Sequence, residues 1–207
     1  MGSVWTILVA AGAGQRYGGA KQYERLGDRR VIDWSLAAAA AATDGVVAVV
    51  TEAAPVEAEA DHTVTGGATR SASVRAGLAA VPEAAEVIVV HDAARPLASP
   101  VLFAAVIGAV RAGADAALPG VPVTDTIRRR NGEPVDRDEL VAVQTPQAFA
   151  ADRLRAAHAT EPEATDDASL IEAAGGTVVV VTGEPRNAKI TSPDDLVVAA
   201  ALLGALA

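Results

Sequence analysis

The chain has 207 residues, 51% of them hydrophobic, a length and composition that suit one domain around one substantial core. Its formal net charge of −9 argues against general nucleic-acid binding, and two residues each of Trp, Tyr and Phe leave little for base-stacking platforms. With no cysteine, disulfides, thiolate chemistry and zinc on sulfur are excluded, which suits a reducing cytoplasm; no apolar run is long enough for a bilayer and no basic segment leads a signal-like core, so no membrane role is expected.

The first predicted element is an apolar strand over residues 6–11, running straight into a loop that carries Gly12, Gly14, Arg16 and Lys21. Glycine tolerates positive φ, so Gly12 and Gly14 are expected to turn successive N–H groups toward one anion, while the two cations add charge that backbone dipoles lack. Arg offers a planar fork for two phosphate oxygens and Lys a compact charge on a flexible stem. Neither familiar glycine motif fits. The dinucleotide fingerprint has Tyr17 at its third glycine position, which disfavours an oxidoreductase, and the triphosphatase loop needs Ser or Thr where Gln22 follows Lys21. A plain strand-to-helix turn with incidental cations is the alternative.

Residues 31–42 place apolar side chains at helical spacing, and residues 46–51 form a strand that is apolar throughout, which predicts cover on both faces as in a parallel sheet. A short helix over 55–60, a strand over 62–65, the pair Gly66 and Gly67 and a helix over 69–81 follow. The next buried strand, 86–91, ends in Asp92 and Arg95. Ser99 and Pro100 read as the cap and first position of a helix reaching residue 112, and 114–121 is another strand. The alternation predicts an α/β fold with a mostly parallel sheet flanked by helices. Residues 124–143 break the rhythm: they are charged, with Asn131 and Gly132 as a hairpin turn signal, and read as an arm projecting from the single domain. Helices then reach about residue 158 and span 165–174, and the last strand is 178–182. Ser192, Pro193 and Asp195 occupy the cap, first and third positions of the final helix.

In an open parallel sheet, ligands bind beyond the carboxyl ends of the strands. Collected there are the 12–21 loop, Gly66 and Gly67 with Arg70 and Ser73, Asp92 with Arg95, Thr126 and Lys189. Backbone donors, cations, hydroxyls and one carboxylate able to hold magnesium are components of nucleotide chemistry. Asp92 could instead cap the turn before Pro96 with Arg95 as its partner, and Lys189 could be an ordinary surface lysine. His91 reads as a strand-end residue, because no other His or Cys stands at metal-ligand spacing. Asp166 and Asp167 read as helix caps, and His62 and His158 carry no signal.

Six segments in order, Ala10–Arg16 with Lys21–Tyr23, His91–Pro96, Asp125–Thr126, Gln144–Gln147, Thr165–Ala168 and Asn187–Thr191, resemble the 2-C-methyl-D-erythritol 4-phosphate cytidylyltransferases over nearly the whole chain. The resemblance implies a Rossmann-like nucleotidyltransferase fold and a reaction of CTP with the methylerythritol phosphate, in the non-mevalonate isoprenoid route, that releases pyrophosphate. It implies that Arg16 and Lys21 stabilise triphosphate charge and that Lys189 and Arg137 position the attacking phosphate. Ala10, Ala11, Gly12, Ala13, Gly14, Gly67 and Ser73 fall where the family recognises cytidine, and Asp92, Arg95 and Thr126 at substrate contacts, with Asp92 near magnesium. In this family the arm crosses to a second subunit, so a homodimer is implied in which Thr126 and Arg137 complete the partner's site. Ala68 stands where many relatives carry an acidic residue, and Ala20 where proline is frequent. A ribitol 5-phosphate cytidylyltransferase is the rival, against which Ala94 leans, and a non-catalytic nucleotide-binding protein is a second rival.

Overall fold

The computed structural model describes residues 2–14, 16–54, 57 and 59–205. In chain order it contains β1 (Val4–Val9), β2 (Arg25–Leu26), β3 (Arg29–Arg30), α1 (Val31–Ala42), β4 (Gly45–Val50), β5 (His62–Thr65), α2 (Arg70–Ala80) and β6 (Val87–Asp92). There follow α3 (Pro100–Arg111), β7 (Ala116–Pro122), β8 (Ile127–Arg128), β9 (Pro134–Val135), β10 (Val141–Val143), β11 (Gln147–Ala150), α4 (Ala151–His158), α5 (Ala168–Ala173), β12 (Val178–Thr182) and α6 (Pro193–Gly204).

The centre of the sheet is β1, parallel to β4 on one side and to β6 on the other, with β5 parallel beyond β4. β11 runs antiparallel to both β6 and β7, so those two strands point the same way. β12 takes one edge of β7 in parallel, and β10 and β11 share the other edge in succession. All the parallel strands therefore end on one rim. The chain leaves β1 toward β4 and β5, then crosses back to β6, which makes the β1/β6 boundary the topological switch point.

The apolar strands are buried on both faces, and their alternation sorts the core into two layers. Leu8, Ala48 and Val89 face α1 and α3, where Ile32, Leu36, Phe103 and Val106 meet them. Ile7, Val49, Ile88 and Val90 face α2, α4 and α5, where Val74, Leu78, Leu154 and Ile171 close the other side. A third cluster joins Leu26 and Val31 to Ile190 and Ala199, docking α6 beside the β2–β3 hairpin. No helix among the described residues is long and apolar enough to cross a membrane.

Apart from the short helix over 55–60, the expected strands and helices are present with ends shifted by up to three residues, and three further features differ. The β2–β3 hairpin was not expected. Nor was β11, whose sequence Gln-Ala-Phe-Ala has little strand propensity; it is a strand because both its edges are satisfied by buried neighbours. The arm is also smaller than 124–143: β8 and β9 pair as a separate two-stranded ribbon around Gly132, while residues 141–143 return to the main sheet as β10. Of the short helix expected over 55–60, Pro55, Val56 and Ala58 lie outside the described residues, and Glu57, Glu59 and Ala60 are not helical.

The α6 cap forms as expected. Ser192 Oγ accepts from the Asp195 N–H, and the Asp195 carboxylate accepts from the Thr191 and Ser192 N–H groups, each at 2.7 Å, and from the Thr191 hydroxyl. Those bonds hold its pKa at about 2, below the carboxylate range. A depressed pKa stabilises the fold above the unfolded value near 3.8 and ceases to do so as pH falls through 2. Asp195→Ala is expected to cost about 1–2 kcal/mol near neutral pH, with the difference from wild type in urea unfolding shrinking between pH 4 and pH 2.

Candidate active site

A cleft of about 380 Å³ opens at the switch point, walled by the loop after β1, the N-terminus of α2, the end of β6 and Lys189. The loop is braced from inside. Buried Gln22 donates its amide to the carbonyls of Ala10 (2.7 Å) and Gly12 (3.3 Å), and Ala10 N–H donates to Val49 O at 2.7 Å. Gly14 has φ +63°, and a Cβ there would lie 1.8 Å from the Gly19 carbonyl oxygen, so only glycine closes this turn. Gly12 differs from the expectation: its φ is not positive, and a Cβ would meet nothing within 4 Å. Its missing side chain leaves room in the cleft and makes no turn.

Across the cleft, Gly66 lets α2 approach the loop after β1, since a Cβ would sit 2.3 Å from that of Ala11 and 2.8 Å from Ser73 Oγ. Ser73 lines the wall and donates its hydroxyl to Thr69 O at 2.9 Å, leaving its lone pairs to the cleft. Arg70, the first residue of α2, reaches the floor.

That floor is Asp92, the last residue of β6, 8% exposed. Its carboxylate is 2.5 Å from Lys189 Nζ through Oδ2 and 3.7 Å from Arg70 Nε through Oδ1. Burial pushes its pKa up, but Lys189 and Arg70 outweigh burial and hold it at about 2. Asp92 does not cap the following turn, which is closed by the Arg95 N–H on the Asp92 carbonyl at 3.0 Å. Lys21 has its pKa lowered, first by burial and then by the positive charges of Lys189 and Arg16, with Asp92 opposing. Cations are thus crowded together against one ionised carboxylate, an arrangement that favours an anionic guest.

The strand end is held by Thr145. Its hydroxyl oxygen is 3.0 Å from both the Asp92 N–H and His91 Nδ1. Burial drives the His91 pKa down to about 4, so the ring is neutral. The hydroxyl accepts from the Asp92 N–H and stands within hydrogen-bonding distance of Nδ1. His91 is a strand-end residue, as expected.

Lys189 is aimed by its loop. Buried Gln144 bonds both the N–H (3.1 Å) and the carbonyl (2.8 Å) of Glu184; Asn187 Nδ2 donates to Thr145 O at 2.9 Å; and the Ile190 N–H donates to Ala94 O at 2.8 Å. Arg95 belongs to this fastening. Its guanidinium donates to Asn187 O (2.7 Å) and Val143 O (3.3 Å), behind the cleft wall.

Ala10, Ala11, Gly12, Ala13, Lys21, Gly67, Ser73, Asp92 and Lys189 all line this cleft. Gly14 and exposed Arg16 lie on the loop just outside the lining, and Thr126 and Arg137 are exposed on the arm, where Arg137 donates to Thr124 O. Sequence reasoning missed Gln22 as a brace, although it follows Lys21, and Thr145, whose role depends on the unexpected β11. It also misread Asp167. Asp166 accepts from the Ser169 N–H at 3.1 Å, as a cap would, whereas Asp167 turns inward to Arg70 at 2.7 Å, because a buried carboxylate requires a cation.

Among the described residues there is no cluster of three or more His, Asp or Glu side chains that could hold a metal. Magnesium keeps several waters and needs only one or two carboxylates besides substrate phosphates. The ionised, cleft-facing Asp92, whose Oδ1 is only loosely engaged by Arg70, fits a metal that arrives with a polyphosphate.

The IspD family, described as 2-C-methyl-D-erythritol 4-phosphate cytidylyltransferase, matches residues 4–205. A 2-C-methyl-D-erythritol 4-phosphate cytidylyltransferase of Nocardia farcinica is 42% identical, with 98% of this chain and 94% of that protein covered. A "Bifunctional enzyme IspD/IspF" of Dinoroseobacter shibae is 44% identical over 97% of this chain but 54% of its own length, so the chain spans about half the length of such relatives. The crystal structure of the 2-C-methyl-D-erythritol 4-phosphate cytidylyltransferase from Thermus thermophilus superposes with a TM-score of 0.85 at 38% identity, covering 98% of each chain.

The ion pair that holds Asp92 gives a direct test. In Lys189→Ala the Asp92 carboxyl, followed by carbon NMR, is expected to titrate above about 2, since its largest stabilising charge is gone. An unchanged titration would mean that Lys189 does not hold it.

Proposed function

Because the chain belongs to the 2-C-methyl-D-erythritol 4-phosphate cytidylyltransferase family, we propose that it transfers CMP from CTP to 2-C-methyl-D-erythritol 4-phosphate in the non-mevalonate isoprenoid pathway. The observation that carries this reading is the convergence of Lys189 and Arg70 on ionised Asp92, with Lys21 in the same cleft beside a backbone-lined loop. A phosphate oxygen of the acceptor attacks the α-phosphorus of CTP; the bond from that phosphorus to the bridging oxygen breaks, and pyrophosphate leaves with the electron pair. The nucleophile is already anionic, so no base is needed. What the chemistry requires is alignment of two anions and compensation of their charge.

The backbone of Ala10–Gly14 with Gly67 and Ser73 holds the cytidine. Lys21 and Arg16 take the triphosphate charge, and Lys189, already pointed into the cleft by Asp92, draws in the acceptor phosphate. Magnesium brought by the triphosphate would be held by Asp92 and would neutralise phosphate charge. Thr126 and Arg137 stand on the arm away from this cleft, which fits a homodimer in which each arm completes the partner's acceptor site, with Arg137 on the acceptor phosphate. Arg95 serves the acceptor side by fastening the Lys189 loop.

Pyrophosphate release with magnesium and CTP is expected with methylerythritol phosphate and not with ribitol 5-phosphate; turnover with ribitol phosphate alone would move the acceptor assignment, and silence with both would remove the enzyme reading. In the active dimer, mixing Arg137→Ala with Lys21→Ala subunits is expected to restore one site in each heterodimer. No recovery in verified heterodimers would place the arm's role within its own chain.

A further inference from the structure

Arg70 is aimed from behind the cleft. Its Nη1 lies 2.7 Å from Asp167 Oδ2, while its Nε stands 3.7 Å from Asp92 Oδ1. The other Asp167 oxygen, Oδ1, is 2.9 Å from His158 Nε2. Asp167 is 1% exposed and His158 4% exposed, at the start of α5 and the end of α4, and neither lines the cleft. Burial pushes the Asp167 pKa up, but the His158 hydrogen bond and Arg70 outweigh it, and the carboxylate stays ionised. An ionised carboxylate only accepts, so His158 Nε2 carries the donated proton, and its buried Nδ1 has no hydrogen-bond partner among the described residues.

This arrangement leaves His158 one polar bond, and that bond decides which Asp167 oxygen faces Arg70. We propose that His158 is a positioning residue for the cytidylyl-transfer site: by fixing Asp167 Oδ1 it holds Oδ2 on the Arg70 guanidinium, which is thereby stretched between Asp167 and Asp92. Without it, the carboxylate is free to turn about its last torsion and take Arg70 in a two-point grip, drawing the guanidinium off Asp92 and leaving Lys189 as that carboxylate's sole close cation. A buried Asp–His pair thus sets the charge balance at the floor of the cleft without touching a substrate.

The inference rests on the proposed reaction, and its test has one readout that does not. Arg70's Nε–H proton and nitrogen NMR signal is expected at the same chemical shift in wild type and in His158→Gln, whose amide can donate where Nε2 does. In His158→Ala and His158→Asn, which cannot reach, the signal is expected to move, because the guanidinium turns from Asp92 to Asp167. In turnover, the Ala and Asn variants are expected to fall about tenfold in kcat with the KM for CTP within about twofold, and the Gln variant to recover to within about twofold of wild type. In an Arg70→Ala background, His158→Ala is expected to change kcat less than about twofold, because its target is gone. Equal Arg70 signals in the Gln and Asn variants would overturn the proposal even if wild type were silent with every acceptor. So would a His158→Ala penalty of the same size with and without Arg70. If the Ala variant does not fold, the Gln–Asn comparison decides alone.

Discussion

The charge arrangement of the cleft depends on one buried carboxylate. Asp92 ends a strand buried along its whole length, where an isolated charge would be expelled or neutralised. It stays ionised because Lys189 and Arg70 reach it from opposite sides of the sheet's switch point. Each cation is brought by a different part of the chain: Arg70 by the helix after the fourth and fifth strands, Lys189 by the loop after the last one. Folding of the whole domain is therefore a condition for the site, and the site's charges are fixed before any ligand arrives, which is the state that electrostatic catalysis requires.

The strand that sorts this geometry is β11. By entering antiparallel between β6 and β7 it brings Gln144 and Thr145 to the strand ends. Thr145 then ties His91 to the Asp92 N–H, and Gln144 grips the Glu184 backbone, so the same short segment secures both the carboxylate and the loop of its lysine partner. Gln22 plays the corresponding part at the other wall, occupying the carbonyls of Ala10 and Gly12 so that the loop keeps an open shape. The groups that meet a ligand are few. The buried amides and hydroxyls that aim them are as many, and each has a backbone partner.

Most of the fold was legible because parallel strands covered on both faces read as unbroken apolar runs, as in residues 46–50 and 87–90. The cap of α6 was legible for the same local reason, with Ser192, Pro193 and Asp195 at fixed offsets. β11 was not, since Gln-Ala-Phe-Ala has no strand signature and owes its conformation to neighbours distant in sequence. The cleft residues could be collected from their place after strands, but not their pairings. Asp167 has the spacing of a cap and the job of a counter-ion; Arg95 has the look of a cleft cation and binds two carbonyls; Gly12 looks like a turn glycine and is an opening. For Asp167 and Arg95 the deciding partner lies far along the chain, where local pattern carries no information.

In the proposed reaction, ionised Asp92 organises the cations for chemistry and is needed to hold neither the nucleotide nor the fold. Asp92→Asn, with kcat and magnesium-free CTP affinity measured on the same preparation, addresses it most directly. The account predicts a fall in kcat of at least about 100-fold while CTP binds as tightly as in wild type or more so, because a negative charge has left the triphosphate's surroundings. Near-normal turnover, or loss of CTP affinity in a folded variant, would contradict it.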